Sequence, residues 1–136
     1  MTTKKLTVEV VTPDGLIVKG EYDMIVVQSI NNELGILPGH APLIAPVVIS
    51  SARLRNEKES MRVAIGGGFI EVDQDHVTLL AQSAETPAKI DVQRAQKAKE
   101  RAQRRIQQKR DEIDFRRAEL ALKRAIHRLD VAKGLN

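Results

Sequence analysis

Leu6, Val8 and Val10 alternate with polar neighbours near the start of the chain, the two-residue period of a half-buried strand. Met24-Ile-Val-Val27, the set Met61, Val63 and Ile65, and His76-Val-Thr-Leu-Leu-Ala81 read as further short strands. Thr12-Pro-Asp-Gly15 is a type I turn signal, with proline second and glycine fourth, and Asp73-Gln-Asp75 marks a hairpin tip. Regular short strands separated by turn signals predict a two-sheet β-sandwich, or flattened barrel. The pattern then changes. From Ala88 to Lys133 there is neither proline nor glycine, and Ala, Lys, Arg, Gln and Glu dominate, which is helix composition. Ala118, Leu122, Ala125, Leu129 and Ala132 recur at three- and four-residue steps as one apolar stripe, with Ile113 and Ile126 near its edges. Ala95, Ala98, Ala102 and Ile106 form a weaker stripe of mostly small side chains upstream.

Lys109-Arg-Asp-Glu112 is the natural break between the two stripes, and Asp111 can cap a second helix there. With no glycine or proline to enforce a turn, the pattern permits either a two-helix hairpin or one longer, straighter helix. Alanine-rich contacts bury little area, so a hairpin of this kind lies near balance with an undocked form, which makes it a candidate switch. The expected organisation is β + α: a β-sandwich over residues 1–87, then a mobile, basic α-helical hairpin over residues 88–136.

Charge sharpens that division. The whole chain carries a net charge of +4. Residues 1–88 hold 7 Lys/Arg against 11 Asp/Glu, and residues 89–136 hold 15 against 7, so the halves face different partners. The chain has no cysteine, hence no disulfide framework and no thiolate metal site. No apolar run approaches the roughly 20 residues that cross a bilayer, and the N-terminus lacks the apolar stretch of a signal peptide. Any membrane association is expected to be indirect, through partners.

The helical half gathers arginines. Asp91 reads as the N-cap of the first helix, Arg94 lies one turn on, and Arg101 returns seven residues later to nearly the same face. Arg124 and Arg128 are one turn apart in the second helix. If the chain folds back near 109–112, Arg94 meets the neighbourhood of Arg128, and Arg124 faces the stretch from Ala98 to Arg101. Glu85 and Asp91 are the obvious acids nearby. Guanidinium groups so gathered need a polyanion, a partner's carboxylates, or freedom to separate. A nucleoside triphosphate satisfies them, since arginine suits phosphate oxygens and a carboxylate can take an exocyclic amine. Capping alone, or a solvated charged face, would also account for these residues one at a time.

Other chemistry is thin. His40, His76 and His127 are scattered and no pair has metal-ligand spacing. Gly66-Gly-Gly68 lacks the spacing of a phosphate loop and is followed by Phe69 and more strand, so it reads as tight hairpin geometry. No nucleophile or paired-carboxylate constellation stands out, and no enzymatic activity is expected. A basic nucleic-acid-binding module is the alternative reading of the tail. It is weakened by Phe115 being the tail's single aromatic residue and by the lack of a docking motif.

Glu33-Leu-Gly-Ile-Leu-Pro-Gly-His-Ala-Pro-Leu43 interleaves four breakers with four large aliphatic residues, which calls for an ordered, partly buried loop. This segment resembles the signature loop of the epsilon subunits of F-type ATP synthases. Ala64-Ile-Gly-Gly-Gly-Phe-Ile-Glu-Val72 resembles that family's glycine-rich hairpin, Ile90-Asp-Val-Gln-Arg-Ala95 its ATP-associated motif, and Asp114 to Ala125 its last helix. The resemblance implies a non-catalytic central-stalk subunit that couples the gamma stalk to the rotor ring. It also implies that the C-terminal helices inhibit ATP hydrolysis against the catalytic beta subunits, on the cytoplasmic face of the cell membrane. Regulatory ATP, with or without magnesium, would be held by Glu85, Asp91, Arg94, Arg101, Arg124 and Arg128. Glu33, Pro38, Gly39 and His40 would contact the ring's c subunits and gamma. One departure is Asn32, where many relatives carry glycine; asparagine tolerates positive φ better than most residues, so the turn is expected to survive.

Overall fold

The computed structural model describes residues 4–57, 59–108 and 111–134. Eight strands come first: β1 (Leu6–Thr12), β2 (Gly15–Tyr22), β3 (Met24–Gln28), β4 (Glu33–Ile36), β5 (Leu43–Arg55), β6 (Ser60–Asp73), β7 (His76–Ala81) and β8 (Ala84–Glu85). A 3-10 turn at Pro87–Lys89 leads into helices α1 (Val92–Gln108) and α2 (Glu112–Ala132). Hydrogen bonding links the strands in the order β2-β1-β7-β6-β5-β3-β4, with β8 on β6. All pairings are antiparallel except β1 with β7.

One continuous ladder becomes two layers because its longest strands turn a corner. β5 and β6 pair with each other along nearly their full lengths. β5 buries Ala45 and Val47 at its start but Ala52 and Leu54 at its end, so the buried parity changes midway. β6 does the same, from Val63 and Ile65 to Ile70 and Val72. Side chains alternate strictly along a regular strand, so such a change requires a backbone rotation. It falls at Gly66–Gly68, where Gly67 has φ +95. A Cβ on Gly68 would lie 1.9 Å from the Leu80 carbonyl oxygen, so only glycine lets β7 approach there. The glycine trio therefore sits inside a 14-residue strand and not in a hairpin, contrary to the reading from sequence. The real tip follows at Gln74 and Asp75, both at positive φ, as the Asp73–Asp75 signal predicts.

Aliphatic side chains fill the space between the layers. Leu6, Val8, Val10, Ile25, Ile36, Leu54, Ile70 and Leu79 are all fully buried in one cluster. Each contributes on the order of 1.5–3 kcal/mol by leaving water. Among the described residues no buried side-chain polar atom lacks a partner; Ser29 Oγ, for one, donates to the Pro46 carbonyl at 2.7 Å.

Both helices start at an aspartate. The Asp91 carboxylate accepts the Arg94 amide at 3.0 Å, and the Asp111 carboxylate accepts the Asp114 amide at 2.8 Å. Lys109 and Arg110, the rest of the expected break, lie outside the described residues. The two helices pack on each other, and α2 also packs on β5 and β6, so the chain adopts the hairpin and not the long helix. Ala95 and Ala102 of α1 and Ala118, Ala125 and Leu129 of α2 are buried, as their stripes predict. Val131 lies off the predicted stripe yet is buried, because the last turn of α2 meets Ala64 and Ile90 at the joint with the sandwich.

Candidate functional site

Hairpin docking builds a cavity at its mouth. Ile90 is buried against Ala64 and Val131, which fixes where α1 leaves the sandwich. The first turns of α1 then face the end of α2 and strand β8. Glu85, Lys89, Asp91, Arg94, Ala95, Lys97, Ala98, Arg101 and Arg128 line a cavity of about 440 Å3 between them. That size lies within the range of small-molecule sites. Three elements with different sequence origins contribute: β8, the start of α1, and α2.

Charge in this cavity is lopsided. Arg128 Nε donates to Glu85 Oε1 at 2.5 Å, an ion pair that joins α2 to β8. Asp91 is occupied by the α1 cap. Among the described residues, no ion pair engages Lys89, Arg94, Lys97 or Arg101. Four cations thus face one small volume, with one oxygen of each of the lining's two carboxylates already engaged. Such an array favours an anion with several oxygens, and arginine presents its donors in a fork that matches phosphate. No group of three or more His, Cys, Asp or Glu side chains able to hold a metal occurs among the described residues.

Five of the six expected residues meet here: Glu85, Asp91, Arg94, Arg101 and Arg128. Arg124 does not line this cavity. It lies one turn back along α2 and lines a narrow neighbouring crevice with Ser83, His127, Glu85 and Arg128. Sequence reasoning missed Lys89 and Lys97. Lys97 was findable, since it follows Arg94 by three residues and precedes Arg101 by four, on the same helical face.

The second expected cluster is a separate place. Glu33 opens β4, so the segment up to Leu43 is half strand and half turn. Ile36 is fully buried and anchors it. Gly39 at φ +87 closes the turn, with the His40 amide donating to the Leu37 carbonyl at 3.1 Å. The Gly39 amide also donates to Asp75 Oδ1 at 2.6 Å, which ties the turn to the β6–β7 tip. Pro38 and His40 are half-buried, and His40 Nδ1 lies 2.6 Å from the Ala41 carbonyl. Glu33 is ion-paired with Arg53 of β5. The preceding loop closes through the Ser29 amide and the Asn32 carbonyl at 2.8 Å, and Asn32 keeps negative φ, so its tolerance of positive φ is not used.

Comparison with known proteins covers both halves. The family described as ATP synthase, Delta/Epsilon chain, beta-sandwich domain matches residues 5–87, and ATP synthase, Delta/Epsilon chain, long alpha-helix domain matches residues 89–133. An ATP synthase epsilon chain of Halalkalibacterium halodurans is 54% identical over 128 residues, covering 93% of this chain and 96% of that one. One from Bacillus licheniformis is 51% identical over 130 residues, covering 96% and 99%. Among solved structures, a chain of the Euglena gracilis mitochondrial ATP synthase in an assembly titled OSCP/F1/c-ring aligns with a TM-score of 0.79. It shares 23% identity, covering 95% of this chain and 81% of that one, a likeness of fold.

Proposed function

The chain belongs to the ATP synthase delta/epsilon family, and we propose that within such a complex it is a non-catalytic, ligand-regulated subunit of the central stalk. The observation that carries the regulatory part is the cavity shared by β8, α1 and α2, whose cations Lys89, Arg94, Lys97 and Arg101 have no carboxylate partner among the described residues. ATP fits the chemistry. Its phosphates would lie among Arg94, Arg101 and the lysines, and the Glu85 oxygen not engaged by Arg128 can accept from the adenine amine. Arg124, one turn from Arg128, would reach the ligand's edge only by moving.

Such a ligand needs the docked hairpin, since undocking separates α1 from Arg128 and Glu85. Binding to that state alone stabilises it by RT ln(1 + [L]/Kd), about 2.7 kcal/mol at a hundredfold excess over Kd. That is enough to hold a hairpin built on alanine contacts. Undocked, the basic helices would rise along the gamma subunit, meet acidic segments of the catalytic beta subunits and obstruct hydrolysis. The sandwich would join gamma to the rotor ring, with Glu33, Pro38, Gly39 and His40 facing the ring's c subunits. No helix among the described residues is long and apolar enough to cross a membrane, and in this reading the subunit sits at the cytoplasmic face through its partners.

Calorimetric titration of the full chain with ATP, with and without magnesium, tests the site. The Arg94→Ala/Arg101→Ala variant should lose at least tenfold in affinity, and Arg104→Ala, exposed and outside the cavity, should not. Equal affinity in all three would sink the assignment. The arginines would then be docking charges for other subunits.

A further inference from the structure

Outside the arginine-lined cavity, one titratable group lies in the interface that holds the hairpin down. We propose that His127 is a pH-sensitive latch between α2 and the sandwich: neutral, it bridges to Ser51 and favours the docked hairpin, and on protonation it releases α2. The proposal rests on the mobility of the hairpin argued above, but not on ATP binding.

Ser51 Oγ lies 3.1 Å from His127 Nδ1, a side-chain hydrogen bond that spans 76 residues and joins α2 to β5. It sits in the middle of the docking surface, between the fully buried Ala125 and the Leu129 turn of the same helix. His127 also lines the narrow crevice with Ala64, Ile65, Gly66 and Ser83. With the proton on Nε2, the neutral ring accepts the Ser51 hydroxyl at Nδ1. A protonated ring could still donate to Ser51 Oγ once the hydroxyl turns. The sensitivity therefore comes from placing a charge there, not from breaking one bond.

The charged surroundings decide the sign. From α2, Asp130 favours the imidazolium, whereas Lys123 opposes it. Arg62, facing from β6, also opposes it. Arg124 and Arg128 line the crevice, and Glu85 there is already paired with Arg128. β5 supplies Ser51, which is uncharged, and Arg53, cross-strand from Arg62. Desolvation is the largest influence and acts against the charge, so the docked pKa lies below the ordinary 6.5. A group whose pKa is depressed on docking, because burial penalises its protonated form, favours the docked state in full above its undocked pKa. That stabilisation is lost as pH falls from about 6.5 towards the docked pKa. One proton limits the change to about tenfold in the docked-to-undocked ratio per pH unit. Acidification would therefore release the hairpin, the direction in which an obstructing element would be deployed.

The test uses the full chain without ATP. The absence of native cysteine allows spin labels on Glu119→Cys of α2 and Lys19→Cys of β2, both exposed. Pulsed dipolar spectroscopy gives the docked fraction from pH 8 to pH 5, and proton NMR follows the imidazole of His127. The docked fraction should fall with acid, and the His127 midpoint should lie below 6.5. His127→Gln should flatten the profile and His76→Gln should leave it intact. A midpoint at or above the ordinary value, a docked fraction indifferent to pH, or an unchanged profile in His127→Gln each overturns the latch. The NMR titration needs no His127 variant and decides even if that variant folds poorly. A hairpin that responds to ATP but not to pH removes the latch alone. One that responds to neither removes the mobile hairpin on which both readings stand.

Discussion

Asp91 has a structural role that can be separated by substitution from the ligand role proposed for it. Its carboxylate caps α1 and also lines the cavity beside Arg94 and Glu85. The two roles separate by substitution. Asp91→Asn keeps a good capping residue and should leave thermal stability nearly unchanged, whereas Asp91→Ala should cost about 1 kcal/mol. ATP affinity measured beside the melting curves then reports the charge alone. Gly68 is the opposite case, a residue with no chemistry and no latitude. Gly68→Ala should destabilise the sandwich by about 2–3 kcal/mol, read from the urea midpoint, because the added carbon meets the Leu80 carbonyl and neither strand can retreat. A midpoint like that of the parent chain would mean the corner has slack that the close approach does not suggest.

Elements differ in how openly their sequence declares them. β1 alternates cleanly because one face looks inward along its whole length, and the six residues expected of β7 are the six observed. The α2 cap at Asp111 and the β6–β7 tip were equally legible, since each depends on local chemistry. β5 was not. Pro46, Ser50 and Ser51 interrupt its apolar run, and its inward parity reverses at the corner, so no single two-residue period spans it. β2 was hidden because most of its positions are exposed or half-buried. The arginines of the cavity could be read because helical spacing places them. The Glu85–Arg128 pair and the Ser51–His127 contact could not, because both depend on how α2 docks, which no local pattern encodes. The alanine seam should be correspondingly sensitive. Ala125 is fully enclosed, and Ala125→Leu should weaken docking by about 1–3 kcal/mol. Amide exchange should then quicken in α1 and α2 while β1, β6 and β7 keep their protection.

For the whole molecule, the decisive feature is an acidic sandwich joined to a basic hairpin whose mouth concentrates positive charge. That arrangement predicts that salt weakens both ligand binding and docking. Raising the ionic strength from about 0.15 M towards 1 M shortens the screening length from about 8 Å to 3 Å. ATP affinity should then fall, and docking without ligand should weaken by less, because salt screens the attraction between the net-negative sandwich and the net-positive hairpin while Lys89, Arg94, Lys97 and Arg101 stay together on one stretch of chain in either state. Calorimetry and the spin-label distance, measured on the same samples, check both halves of this prediction.

The most direct measurement is the hairpin-to-sandwich distance as a function of ATP. With labels on Glu119→Cys and Lys19→Cys at neutral pH, ATP should deplete the extended population, with a midpoint matching the calorimetric Kd. In Arg94→Ala/Arg101→Ala that midpoint should move to at least tenfold higher concentration. If ATP binds with that Kd and the distance distribution stays unchanged, or the extended population grows, the ligand does not hold the hairpin down and the account is wrong at its centre.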